Sequence, residues 1–417
     1  MTYLFQSPQV LDTDAFGRQR ISHPFTLGDY KHLYGLDPNF HDAVWSGGTV
    51  TFQANQACAR LTVTSSTSSR VVHQSKMYHH YMPGKSQLIL SSVNFYAPTT
   101  GVVKRTGYYD DLNGIFLEQA ANGQLYWVLR TYTAGNLQEE RIAQSNWNVD
   151  RCDGTGDSEF NLDIAMTQLA IMDFQWLGVG RVRVGFAHAG KNIVAHTFDG
   201  SNNKPVVYMS TPNLPMRCEL INSSSTTGAY FDQICSTVMS EGGYIENGVD
   251  WAVISPSLRS LAAGSSTPVM ALAVARTFRG YENRVTLRMG NINVFASGEN
   301  CSWQLLKVSS IAQLNGTWVG ADAGAVNDSA AIYNTSATTL TGSFDEMDNG
   351  WISATTGQGN TPTTASGPTP NMPSAAKKNY ITQNISATTS EAYVVMITNR
   401  GAGTATVGVG IQWREVY

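Results

Sequence analysis

The sequence predicts an all-β protein built from two β-sandwich or jelly-roll domains, and three observations predict it. Only 14% of the 417 residues are charged, well under the roughly 25% of typical globular chains. Glycine is abundant, at 38 residues, and Ser, Thr and Asn are frequent, which is the composition of short strands joined by many turns. Apolar residues recur at every second position in one stretch after another, the period of a strand with one buried and one wet face. The length favours two domains over a single core. The pattern divides the chain into an extended N-terminal arm over 1–36, a first sandwich over 37–244 and a second over 245–417.

The arm carries Leu4, Phe5, Val10, Phe16, Ile21, Phe25 and Leu27 without a sustained period, interrupted by Pro8 and Pro24. So apolar a segment is costly to leave in water. It is expected to dock on another subunit, the alternative being a strand that completes the following domain.

In the first sandwich, strands are expected at 49–52, 59–63, 71–81 and 87–96, then a hairpin of 114–118 with 124–133 over the turn signal Asn122-Gly123. The clearest element is 173–186. Phe174 and Trp176, then Val182, Val184 and Phe186, alternate with Asp173, Gln175, Arg181 and Arg183, which are expected on the wet face. Gly178 and Gly180 allow the chain to reverse. A second reversal at 189–192 leads into 193–198, making a β-meander over which the main core should close. Strands at 206–209, 217–221 and 229–238 complete the set.

The second sandwich offers strands at 269–276, 284–288, 291–295, 302–308, 339–344, 380–385, 391–398 and 404–414. Between them, 355–377 is a Thr/Pro/Gly-rich stretch that reads as an exposed loop.

The formal net charge of −4 leaves no electrostatic footprint for nucleic acid or an anionic membrane. No signal peptide is expected at the start, and no apolar run approaches the ~18 residues needed to span a bilayer. Cys58, Cys152, Cys218, Cys235 and Cys301 are scattered without a C-x-x-C pair, so buried or free thiols are expected rather than a zinc site or a disulfide framework.

Catalytic patterns are missing. Asp110 and Asp111 are adjacent, so on a strand they point to opposite faces. Glu139 and Glu140 share that defect and are expected in a hairpin loop, while Asp345, Glu346 and Asp348 read as an acidic turn. His73, His79 and His80 with Tyr78 and Tyr81 read as a polar, aromatic surface strand rather than a metal site. Neither a nucleophile elbow nor a phosphate or dinucleotide loop occurs. No enzymatic activity, cofactor or metal is expected.

Three regions resemble a family of virion structural proteins of tailed bacteriophages and some large DNA viruses of algae. They are DAFGRQRISHPFTL at 14–27, GYYDDLNGIFLE at 107–118, and 176–186 followed by YMSTPNL at 208–214. The resemblance covers most of 10–310 and fades beyond about 320. It implies a fibre, spike or decoration component with a lectin-like, concanavalin-type first sandwich. It further implies a homo-oligomer, by family habit a homotrimer, assembled in the host cytoplasm and held in the virion with other head, neck or tail proteins. The arm would anchor it, through Asp14, Phe16, Arg18, Arg20 and Phe25. The alternative is a receptor-binding adhesin for host surface glycan. For that role Tyr108, Tyr109, Trp147 and Trp351, expected on loops, are the candidates. A ring face packs on the C–H face of a sugar while nearby amides and carboxylates take its hydroxyls.

Overall fold

Strands form where the apolar period is two, and the pleat sorts their side chains between an inner and an outer face. The computed structural model describes residues 13–17, 19, 23–322, 328–353, 365–366 and 380–416. The chain divides into two units, Met1–Ile245 and Glu246–Tyr417.

In the first unit the strands are β1 (Pro24–Lys31), β2 (Phe40–Trp45), β3 (Thr49–Gln53), β4 (Cys58–Val63) and β5 (Arg70–Ser75). Next come β6 (Ser86–Asn94), β7 (Val102–Tyr109), β8 (Gly114–Gln119), β9 (Leu125–Thr131) and β10 (Gln138–Ala143). The last are β11 (Gln168–Phe174), β12 (Arg181–His188), β13 (Lys191–Asp199), β14 (Met216–Asn222) and β15 (Ala229–Glu241). One sheet runs β13-β12-β11-β6-β15-β4-β3, with β1 also on β15; the other runs β10-β9-β8-β7-β14-β5-β2. The core lies between them. Ile89, Ala170, Met172 and Val184 from the first sheet meet Tyr108, Ile115, Trp127 and Cys218 from the second. The expected all-β sandwich is what the chain adopts.

The meander is β11, β12 and β13, and its second turn has positive φ at both Ala189 and Gly190, the geometry that matches strand twist. One expectation for it fails. Asp173 and Arg183, expected in water, face each other across β11 and β12 as a buried ion pair. Residues 13–17 cover that pair. Arg183 donates to the Thr13 carbonyl at 2.6 Å, Arg181 donates to the Ala15 carbonyl at 3.0 Å, and Ser86 Oγ donates to Asp173 at 2.8 Å. The Asp14 carboxylate accepts from the Phe16 N–H at 2.9 Å, closing a tight turn.

This corrects the arm. Asp14 and Ala15 are buried against their own sheet, so Asp14 is not available to a particle. Phe25 lies in β1 opposite Ser240 and stacks on Tyr244 at 5.1 Å; the stretch from Pro24 onward completes the first sheet. Phe16 is half-buried. Arg18 and Arg20 lie outside the described residues.

Other differences follow from the pleat. β5 stops at Ser75, 206–209 is not a strand, β2 forms where no strand was named, β7 takes in Tyr108 and Tyr109, which were expected on a loop, and β10 forms where a hairpin loop was expected. Glu139 and Glu140 are therefore strand residues. His73 and His79 are buried rather than on a surface strand. His79 donates from Nδ1 to the Leu214 carbonyl at 3.0 Å and accepts at Nε2 from the Tyr30 hydroxyl at 2.8 Å. All five cysteines are free, with Cys235 exposed and the other four buried.

Gly185 sits at a bulge where β12 meets β13. A Cβ there would overlap the Ile193 carbonyl oxygen and reach the Ala195 nitrogen at 2.9 Å. Both are backbone atoms that cannot swing aside. We expect Gly185→Ala to cost roughly 2 kcal/mol or more, read as a lowered urea midpoint; an unchanged midpoint would show that the bulge yields.

The second unit repeats the plan. One sheet runs Val249–Ile254, Ala405–Val416, Thr286–Ser297 and Ala365–Ser366, with Arg259–Leu261 and Tyr380–Ile381 attached. The other runs Val319–Gly320, Ala331–Asn334, Ser266–Val274, Ala392–Asn399, Cys301–Val308 and Phe344–Ile352. Leu272, Trp303, Val395, Ile397 and Trp413 are in the core between them. The segments expected separately at 284–288 and 291–295 belong largely to one strand, Thr286–Ser297, bulged between Met289 and Ile292. Asp345, Glu346 and Asp348 are in the edge strand Phe344–Ile352, not a turn. Most of 355–377 lies outside the described residues.

Candidate functional sites

The outer face of the β10-β9-β8-β7-β14-β5-β2 sheet gathers the residues that chemistry would notice first. Alternation on β7 sends Tyr108 into the core and Arg105 and Tyr109 outward. Phe116 and Glu118 from β8, Arg130 from β9, Glu139 and Arg141 from β10, Arg217 and Glu219 from β14 and Arg70 from β5 join them. The charges form a ladder across strands. Arg141 Nη1 is 3.1 Å from Glu118, Arg105 is 2.7 Å from Glu118 and 2.9 Å from Glu219, and Arg70 Nε is 2.7 Å from Glu219. A second row pairs Arg130 with Glu139 at 2.8 Å and Arg217 with Asp111 at 2.6 Å.

The guanidiniums also cover the rings. Arg105 and Arg130 lie over Phe116 at 5.4 and 4.9 Å, and Arg130 and Arg217 over Tyr109 at 5.5 and 5.4 Å. Burial works to raise the Glu219 carboxyl, but Arg105, Arg70 and Arg217 overcome it and hold Glu219 below the usual carboxylate range. A general acid needs a carboxyl poised near the working pH, and a sugar platform needs an open ring face. This face offers neither: its carboxylates are clamped by arginines, and its rings are roofed by them.

Three of the four aromatic candidates are thereby corrected. Tyr108 is buried, its hydroxyl accepting from the Leu214 N–H at 3.1 Å. Tyr109 is buried beneath the arginines. Trp147 follows the single-turn helix Gln144–Asn146, which folds it back so that Nε1 donates to the Ile142 carbonyl at 3.1 Å and its ring lies 6.1 Å from Phe186. None of the three can meet a ligand.

Trp351 is different: it is 70% exposed. It stands on the edge strand Phe344–Ile352, opposite Ser302 of Cys301–Val308, while its neighbour Ile352 turns into the core. The Arg400 guanidinium lies over the indole, 5.9 Å from its centroid, and donates from Nε to Ser302 Oγ at 2.9 Å. Thr398, opposite Ser302, donates to Ser266 Oγ at 3.0 Å. One pleat along, Asn349 and Gln304 donate to the Glu346 carboxylate at 2.7 and 2.8 Å. An indole that a guanidinium caps on one side yet leaves largely exposed, bordered by hydroxyls and amides, can stack an apolar ring face and hydrogen-bond its rim. The sequence singled out Trp351 but not Arg400, Ser302 or Thr398, which register alone brings beside it.

No cluster of three or more metal-ligating side chains occurs among the described residues. No family model matches the chain, and no curated protein matches it. Solved structures do show partial likeness. A β-1,3-glucanase from Mycobacterium marinum aligns at 13% identity and TM-score 0.32, over 51% of this chain and 98% of its own. A glycoside hydrolase family 16 endo-glucanase from Bacteroides ovatus aligns at 11% identity and TM-score 0.34, over 51% of this chain and 99% of its own. The CBM2 module of an evolved Dit from Lactobacillus casei BL23 phage J-1 aligns at 10% identity and TM-score 0.35, over 54% of this chain and 99% of its own.

Proposed function

We propose that the chain is a non-enzymatic structural component of a virion, of the fibre, spike or decoration type, assembled as a homotrimer in the host cytoplasm. One observation carries this reading. The stretches that resemble virion structural proteins lie far apart in sequence yet are joined directly in the fold. Arg181 donates to the Ala15 carbonyl at 3.0 Å, Trp176 Nε1 to the Met209 carbonyl at 3.0 Å, and the Leu214 N–H to the Tyr108 hydroxyl at 3.1 Å. A signature spent on holding one body together suits a building part rather than a catalyst. The clamped carboxylates of the outer face point the same way. Antibody against this protein should decorate purified parent particles in electron microscopy at a fixed position. Particles complete in other components but devoid of this protein would overturn the reading.

A second reading, recognition of host surface glycan, is favoured by Trp351. Losing the indole face should weaken binding of a cognate glycan about tenfold, the equivalent of 1.4 kcal/mol. Trp351→Ala on a glycan array checks this, and array signals identical to those of the unaltered protein would remove Trp351 from consideration.

A further inference from the structure

We infer that the Trp351 patch selects a carboxylated sugar, with Arg400 as the residue that reads the carboxylate; this rests on the glycan reading of Trp351. On the outer face of the first unit, Arg70, Arg105, Arg130, Arg141 and Arg217 each have a carboxylate within ion-pair distance. Arg400 has none among the described residues. Its Nε is committed to Ser302 Oγ at 2.9 Å, and its two terminal nitrogens make no hydrogen bond there. What remains is one free edge of a planar fork, the geometry that takes a carboxylate through two parallel N–H···O bonds.

The fork is held in place before any ligand arrives. The Arg400 N–H donates to the Asn300 carbonyl at 2.8 Å. On one side, Asn399 donates to the carbonyls of Leu261 at 3.0 Å and Gly403 at 2.9 Å and accepts from the Gly401 N–H at 2.9 Å. The nearest acid of this loop, Glu299, accepts from the Gly403 N–H at 2.7 Å rather than from Arg400. On the Trp351 strand, Glu346 is held by Gln304 and Asn349, and Asp348 accepts from the Asn349 N–H at 2.9 Å. Local carboxylates are thus engaged elsewhere, and the open guanidinium edge sits over an indole that is still 70% exposed. A pyranose stacked on the indole would bring a ring carboxylate within reach of Arg400. Sialic and hexuronic acids share that chemistry.

The experiment is titration of the full chain, Trp351→Ala and Arg400→Gln with 3′-sialyllactose, digalacturonate and neutral lactose, followed by saturation-transfer NMR and calorimetry. We expect at least one acidic probe to bind about tenfold tighter than lactose, with added salt eroding the difference. Arg400→Gln should bring that probe down to the lactose level, and Trp351→Ala should weaken binding of both about tenfold. Both side chains reach the surface, and unchanged thermal unfolding of the variants confirms an intact fold. Equal affinity for acidic and neutral probes, or an acidic preference that survives Arg400→Gln, overturns the inference while leaving glycan binding standing. Binding of no probe by the unaltered protein would instead bring down the glycan reading itself.

Discussion

Replacing Arg105 with Met should cost about 3–5 kcal/mol of unfolding free energy at pH 7, the usual loss when one partner of a buried ion pair is removed. Arg105 bridges two carboxylates whose side chains are 2% and 1% exposed, Glu118 and Glu219. Met fills similar volume, so the loss isolates charge from packing. Arg141 keeps two contacts with Glu118 and Arg70 two with Glu219, which places the expected value toward the lower end. The deficit should depend on pH. In the unaltered protein the Glu219 pKa is depressed, so its contribution is full above the unfolded glutamate pKa of about 4.3 and fades as pH falls through the folded value. Without Arg105 that depression shrinks, because only Arg70 and Arg217 are left to oppose burial. The gap between protein and variant should therefore be widest at neutral pH and narrow as the medium turns acid. Urea unfolding at several pH values measures it, and a gap that does not change with pH would mean the ladder's charges do not matter.

Acid should also weaken the first unit through His79. Burial pushes its pKa down to about 4, with the bond to the Leu214 carbonyl opposing; in the unfolded chain histidine titrates near 6.5. Above pH ~6.5 the ring is neutral in both states and its contribution is complete. Between about 6.5 and 4 the unfolded chain takes the proton and the folded one resists, so stability falls, by roughly 3 kcal/mol once below both values. His32 and His196, whose pKa values burial also lowers, titrate in the same sense, so the total slope is not diagnostic. The diagnostic quantity is the difference between the protein and His79→Gln, which should shrink by that amount across the window. Parallel stability curves would show that His79 admits a proton without penalty.

Much of the fold was legible because alternation reports burial directly. It located β11 to β13 and, in the second unit, the long strands Ser266–Val274, Thr286–Ser297, Cys301–Val308, Ala392–Asn399 and Ala405–Val416. It failed where the outer face is not wet. Asp173 and Arg183 follow the alternation yet are buried, because a polar side chain can hide when an opposite charge lies directly across the ladder and residues 13–17 cover it. Tyr108 and Tyr109 looked like a loop pair beside Asp110 and Asp111; as neighbours on a strand, one fills the core and the other lies under guanidiniums. The acidic run at 345–348 looked like a turn, but an edge strand tolerates charges on its free side. Of the Trp351 patch, the indole was visible and its surroundings were not. Ser302 and Arg400 lie about fifty residues to either side, and only strand pairing tells which distant residues share a face.

The distribution of thiols gives the chain a built-in chemical clock. Cys235 is exposed on β15 and should alkylate in the native protein, whereas burial pushes Cys152 and Cys218 up to about 12 and Cys58 up to about 11, keeping them protonated and shielded. Cys58, Cys152 and Cys218 belong to the first unit, and buried Cys301 belongs to the second. Mass spectrometry after a pulse of iodoacetamide would therefore read one adduct from the native state, three more when the first unit opens and one when the second does. Each unit's opening can be timed separately in a single unlabelled sample, with no engineered probe.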